Sequence, residues 1–291
     1  MITEGSEPGV LIVDTHAHIY HADEDVYPMK EDPLRPPQGT GTVEHLQKEM
    51  SGSGVERTVL VQTGSAYGWD NRLLAETASS NPGWSTGVCT LDPASHETAT
   101  QLEGLMSGSS VRGIRMEPTK SRYPMLYHPG ATQVWEIVRR LDTVVCAHIR
   151  SRFLRQLSDL LARFPEVPVV LDHAAYPEAA EGVDSETVQG VLELARFRNL
   201  HVKLTFAVTG SDEDYPFRDT HPILKRLIEA FGPDRCVWGS DFPVELRCPK
   251  VSYGRHLRIF RDQLGLSPGD LAAVLAGTAE RLWFSQRIRP G

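Results

Sequence analysis

Eight short apolar runs recur along the chain, each followed by a longer stretch whose apolar residues have helical spacing. The runs are VLIVDTH (10–16), RTVLVQ (57–62), STGVCTL (85–91), VRGIRME (111–117), TVVCAHI (143–149), PVVLDH (168–173), LHVKLTF (200–206) and CVWGSD (236–241). Continuous Val, Ile and Leu, rather than strict alternation, marks strands buried on both faces of a parallel sheet. The intervening stretches stop where helices stop: VEHLQKEMSGSG runs into glycines, and SRFLRQLSDLLARFP ends before Pro165. Parallel neighbours need a crossover helix, and eight strand–helix units in unbroken series close into a (β/α)8 TIM barrel. An open doubly wound sheet does not need eight units, and no GxGxxG follows the first run. After the eighth run, SPGDLAAVLAGTAERLW opens with a Ser267–Asp270 capping pattern and carries an apolar stripe, which predicts C-terminal closing helices. The expectation is an α/β chain forming one TIM-barrel domain over residues 1–291.

Composition narrows the partners. Forty per cent hydrophobic residues suffices for a large core. A net charge of −8 argues against nucleic acid and anionic membrane surfaces, which are bound through clustered positive charge. No apolar run approaches the roughly 18 residues of a membrane span, and the polar N-terminus is no signal peptide. Cys89, Cys146, Cys236 and Cys248 are far apart and form no CxxC pair, the pattern of reduced thiols in a cytoplasmic protein. These exclusions leave a small molecule as the partner to look for. Oligomeric state has no signature here.

In a TIM barrel, functional groups stand at the C-terminal ends of the strands. His16 and His18 end the first run, and residues two apart on a strand share a face. His148 ends the fifth run, His173 the sixth and Asp241 the eighth, with Glu117 near the end of the fourth. A single histidine on an apolar strand is ordinarily a core residue. Four at strand ends, joined by an aspartate, converge on one mouth and make a ligand set for zinc, manganese or iron. Lys203 reads as a barrel-interior lysine in an ion pair, and Glu117 as a salt-bridge partner. Asp172, next to His173, is expected to face the opposite way and serve packing or a cap. His21, His96, His128, His201, His221 and His256 read as loop or surface residues.

DTHAHIY, followed by DH on the sixth run and GSDFP on the eighth, resembles the amidohydrolase superfamily. TVLVQTGSAYGWDNRLL, GVCTLDP, VVLDHAAYP, HVKLTFAV and AGTAERLW extend the resemblance to its lactonase-like branch of pyrone-dicarboxylate, sugar-lactone and sulfomuconolactone hydrolases. The resemblance implies that His16, His18, His148, His173 and Asp241 hold a divalent metal, zinc or manganese. It also implies that Asp241 takes the proton of the attacking water, with His173 as a catalytic partner. Some lactonases lack the strand-five histidine and work without metal, so His148 decides where this chain falls. The reading is a hydrolase that opens a lactone or similar cyclic ester bearing a carboxylate. A metal-dependent non-oxidative decarboxylase of the same superfamily is the alternative. A scaffold with a dead barrel would have lost a member of the His–His–His–His–Asp set.

Specificity is expected in the loops. The proline-rich stretch 19–41 follows the first histidine pair as a lid or substrate wall. Arg115, Arg122, Arg150 and Tyr176 are the expected substrate-binding residues, because a bidentate arginine holds a carboxylate. Lys120, Tyr123 and Tyr127 share the loop of Arg122.

Overall fold

The computed structural model describes residues 11–117 and 129–285. Eight parallel strands appear where the apolar runs predict them. They are β1 (Val13–Ala17), β2 (Arg57–Val61), β3 (Ser85–Cys89), β4 (Val111–Met116), β5 (Val144–Ala147), β6 (Val169–Leu171), β7 (Leu200–Lys203) and β8 (Cys236–Val237). They hydrogen-bond in sequence order from β1 to β8. The ring closes where the Thr15 N–H donates to Trp238 O (3.1 Å) and the His18 N–H to Phe242 O (2.8 Å), beside a parallel bridge between Ala17 and Phe242.

A helix covers each crossover. Val43–Ser53 ends at Gly54, whose φ of 73° is open to glycine at little cost. Leu154–Arg163 buries Leu154, Leu157, Leu160 and Leu161, the one-sided stripe its spacing predicts. His221–Phe231 buries Ile223, Leu224, Leu227, Ile228 and Phe231 in the same manner. No helix of the described residues is long and apolar enough to cross a membrane.

The barrel interior has an apolar floor. Val13, Val59, Val61, Val88, Val144, Cys146, Val170 and Val237 pack there against Ala276, Ala279, Leu282 and Trp283 from the chain's end. The closing helices are thus a plug for the N-terminal end of the barrel. Ser267 caps them as predicted, its hydroxyl accepting from the Asp270 N–H at 3.2 Å.

The strands are shorter than their apolar runs, and the difference matters for the site. β5 stops at Ala147, β6 at Leu171 and β8 at Val237. His173 and Asp241 therefore stand on backbone already released from the ladder, whereas the His148 N–H still donates to Met116 O of β4 (3.0 Å). The stretch 19–41 crosses the same end and is tied down. The Tyr20 N–H donates to Gly41 O (2.9 Å), Lys30 N–H to Ala66 O (2.8 Å) and Leu34 N–H to Ser65 O (3.1 Å). It forms a fixed wall beside the turn after β2.

Candidate active site

Two local devices aim the first histidines. The pairing of β1 with β2 shifts register between Asp14 and Ala17. Val13 belongs to the inner floor, whereas Ala17 packs in the outer layer. The shift therefore changes strand parity and turns His16 and His18 inward, a common use of a bulge at a barrel rim. The buried Asp14 carboxylate then binds the tips of β1 and β8 together. It accepts from the backbone N–H of His16 (3.0 Å) and of Ser240 (2.9 Å), and from the hydroxyls of Ser240 (2.6 Å) and Tyr253 (2.9 Å). Burial raises the Asp14 carboxyl, and these four donors pull it back toward the ionised form. Gly239 has no substitute here, because a Cβ would lie 2.7 Å from His16 Cβ.

His16 Nε2, His18 Nε2 and Asp241 Oδ1 meet in the mouth. The two imidazole nitrogens are 3.2 Å apart, and the carboxylate oxygen is 3.6 Å from His16 and 3.7 Å from His18. Ligands about 2.0–2.2 Å from a tetrahedral ion lie about 3.3–3.6 Å from one another, so this spacing fits a divalent cation. These three form the group of His, Cys, Asp and Glu side chains able to hold one among the described residues. His18 Nδ1 lies 2.9 Å from Val61 O, which can only accept, so the His18 proton sits there and Nε2 offers its lone pair. Burial keeps both imidazoles neutral at pH 7, with Lys203 adding to the effect at His16 and Arg247 at His18. Burial also raises the Asp241 carboxyl above its ordinary range, against the pull of Arg247 and Arg115. Asp241 adopts a φ of 59°, a left-handed conformation that Asp tolerates better than most residues.

A charged layer lies between this trio and the floor. Lys203, fully buried, places its Nζ 2.9 Å from Asp172 Oδ1 and 3.0 Å from His16 Nδ1. Arg115 donates from Nε to Asp172 (2.8 Å) and from Nη1 to Glu117 (3.0 Å). Burial alone would raise the Asp172 carboxyl, but Lys203 and Arg115 hold it below the usual carboxylate range. The expectation that Asp172 faces away is therefore corrected: it lies in the interior, 4.0 Å from His16 Nδ1. The physical reason is strand parity: Val170 belongs to the inner floor, so Asp172, two residues on, faces inward as well. The backbone then turns left-handed, with His173, Ala174, Ala175 and Tyr176 all at positive φ between 49° and 64°, and His173 reaches the mouth from that turn. Four non-glycine residues in that region store strain of the kind found at functional sites. Lys203 and Glu117 are in ion pairs, as predicted.

The strand-five and strand-six histidines sit to one side. His173 rings lie 4.8 Å from His16 and 5.7 Å from His148, centroid to centroid. His148 Nδ1 is 3.2 Å from Glu117 Oε1, and its Nε2 hydrogen-bonds the Tyr176 hydroxyl. His148 is thus wired to protein on both nitrogens, and His148 and His173 lie outside the three-residue donor group. Tyr176 stacks on His173 at 4.6 Å, and the Arg150 guanidinium lies 4.8 Å over the Tyr176 ring. Burial lowers the imidazoliums of His148 and His173 and raises the Tyr176 phenol. His173 Nδ1 is buried without a hydrogen bond. Arg115 has two edges committed to carboxylates, which leaves its Nη2 as the edge with no hydrogen bond among the described residues. Arg122, with Lys120, Tyr123, Tyr127 and His128, lies outside the described residues.

Sequence reasoning passed over Asp14 and Arg247. Arg247, six residues beyond Asp241, donates to Ser65 Oγ (2.7 Å) and Tyr20 Oη (3.4 Å), while its Nε is buried and unpartnered. Its signal was available in GSDFPVELR, a basic residue one short turn after a strand-eight aspartate. His256 also departs from the surface expectation: it is fully buried, and its Nδ1 accepts from Trp238 Nε1 at 3.0 Å.

A family model described as Amidohydrolase matches residues 13–284. A 4-sulfomuconolactone hydrolase from Rhizobium radiobacter is 30% identical over 237 residues, 79% of this chain and 75% of that protein. A 2-pyrone-4,6-dicarboxylate hydrolase from Comamonas testosteroni is 27% identical over 244 residues, 79% of this chain and 76% of that protein. Among solved structures, an amidohydrolase from Burkholderia multivorans with bound zinc superposes with a TM-score of 0.76 at 23% identity. It covers 94% of this chain and 99% of that one, a likeness of fold.

Proposed function

This chain belongs to the amidohydrolase family, and on that premise we propose that it is a hydrolase that opens a lactone or similar cyclic ester bearing a carboxylate. The observation that carries the reading is Asp241 Oδ1 facing the imidazoles of His16 and His18 at 3.6 and 3.7 Å in the barrel mouth. Two relatives whose names describe hydrolysis of a pyrone dicarboxylate and a sulfomuconolactone support it.

In this reading Asp241 holds the attacking water and accepts its proton as the water oxygen bonds to the ester carbonyl carbon. Its raised carboxyl is closer to the value a general base needs at neutral pH. The carbonyl-to-ring-oxygen bond then breaks, and the ring oxygen leaves as an alcohol or enol after taking up a proton. His173 faces the carbonyl from the strand-six side. Arg150, Tyr176, Arg122 and the remaining edge of Arg115 receive the substrate's carboxylate, with Arg247 near His18 and Asp241. His16, His18 and Asp241 would hold a divalent ion, zinc or manganese, which when bound polarises the ester carbonyl and acidifies water. The zinc in the Burkholderia neighbour supports that choice. Four free, buried cysteines support a reducing, cytoplasmic setting.

The test is a substrate panel with 2-pyrone-4,6-dicarboxylate, 4-sulfomuconolactone, a neutral sugar lactone and a carboxylated phenol, run beside metal analysis. Ring opening of a carboxylated lactone is the expected result. Carbon dioxide release from the phenol, with every lactone untouched, would replace the hydrolase reading by the decarboxylase one.

A further inference from the structure

His16 and His18 have opposite hydrogen-bond surroundings, and the difference fixes their protons. A neutral imidazole carries one N–H. At His18, Nδ1 faces the Val61 carbonyl oxygen, so Nδ1 bears the proton and Nε2 is a lone pair aimed at the centre. At His16, Nδ1 faces the Lys203 ammonium at 3.0 Å. An ammonium has donors and no acceptor, so His16 Nδ1 must accept. The His16 proton is then on Nε2, pointing at His18 Nε2 3.2 Å away. The two constraints arise from different neighbours and agree. They give one continuous chain of donation, from Lys203 to His16 to His18 to the Val61 carbonyl.

A metal needs lone pairs on both Nε2 atoms. His18 is preset for it, with a backbone carbonyl holding its other nitrogen as histidine ligands usually require. His16 is set the wrong way round. The acceptor that would correct it is close by, since Asp172 Oδ1 lies 4.0 Å from His16 Nδ1. Lys203 stands between them, ion-paired with Asp172 and hydrogen-bonded to His16. Without the lysine amine, His16 could turn its proton to Nδ1 and toward Asp172, the carboxylate–histidine–metal arrangement.

We propose that Lys203 is a positioning residue that sets how tightly the His16–His18–Asp241 cluster takes a divalent metal, by holding His16 in the tautomer whose proton faces the metal position. The inference concerns metal affinity and stands whether or not the chain opens lactones.

Two measurements test it without using activity. The first is nitrogen-15 NMR of histidine-labelled, chelator-treated wild-type protein, with His16 assigned from the spectrum of His16→Gln. The expected state is His16 protonated on Nε2 and His18 on Nδ1. The second is zinc chloride titrated in competition with a chromogenic chelator. Lys203→Met should bind zinc about 10–100-fold more tightly than wild type, the usual range for groups that orient a ligand histidine. Removing the lysine leaves Asp172 with one cation fewer, so Lys203→Met/Asp172→Asn is measured beside it. The amide oxygen can still accept from His16 Nδ1. An apo His16 protonated on Nδ1 overturns the proposal, and so does unchanged or weaker zinc binding in the folded variants. Should neither variant fold, the wild-type tautomer decides alone.

Discussion

The floor and the mouth of this one barrel are filled by opposite chemistries. The floor is eight strand residues, seven of them valines, closed by Trp283 and its neighbours. The mouth is a layer of Arg115, Asp172, Lys203 and Glu117 carrying His16, His18, His148, His173 and Asp241. Lys203 marks the boundary, its Nζ 5.8 Å from the Trp283 ring. Apolar contacts are non-directional, so the floor needs volume and shape. Buried charges need named partners, so each group of the mouth depends on its neighbours' positions. Stability should therefore reside mainly in one region and chemistry in the other.

The sharpest test removes the carboxylate proposed as the base and leaves the floor untouched. Asp241→Asn should lower kcat by about a hundredfold to ten-thousandfold on the ester that proves to be the substrate, with KM little changed and thermal unfolding near wild type. A folded variant with near-normal kcat would show that another group takes the proton. Trp283→Ala attacks the floor instead. It should cost about 3–5 kcal/mol of stability in denaturant unfolding while leaving kcat per folded molecule unaltered. A fall in kcat at full folding would mean that the plug also shapes the mouth.

Acid should separate the chemistry of the mouth from the stability of its charged layer by order of loss. Asp241 has its carboxyl raised, so lowering the pH protonates it first, and the fold favours that protonated form. Asp172 has its carboxyl depressed, so its contribution to stability is complete above the unfolded value of about 3.9 and is lost as pH falls below that value. Activity should therefore decline on acidification while circular dichroism still reports the native fold. Unfolding that precedes or coincides with the loss of activity would break the distinction. The smallest effect is expected at the rim. Arg150→Met should cost no more than about 1 kcal/mol through its ring contact with Tyr176, and should raise KM for a carboxylated lactone more than it lowers kcat. An equal effect on a neutral lactone would remove Arg150 from carboxylate binding.

Much of this was legible in the chain itself. Continuous Val/Ile/Leu runs at regular intervals dictate buried parallel strands, and their number dictates closure, because burial of a strand's two faces depends on residue type alone. The positions of His16, His18, His173 and Asp241 near strand ends follow from the same pattern. What the tertiary structure decided is direction. Asp172 points inward by parity with Val170, and His173 beside it reaches the mouth as well because the backbone turns left-handed there. His16 points inward because β1 shifts register. Lys203 reaches His16 across 187 positions of chain, and Arg115 spends two of its edges on carboxylates that approach from other strands or along its own. Periodicity along a chain states which residues are buried, but whether a buried polar group meets a donor, an acceptor or a cation depends on which strands the closed barrel sets side by side.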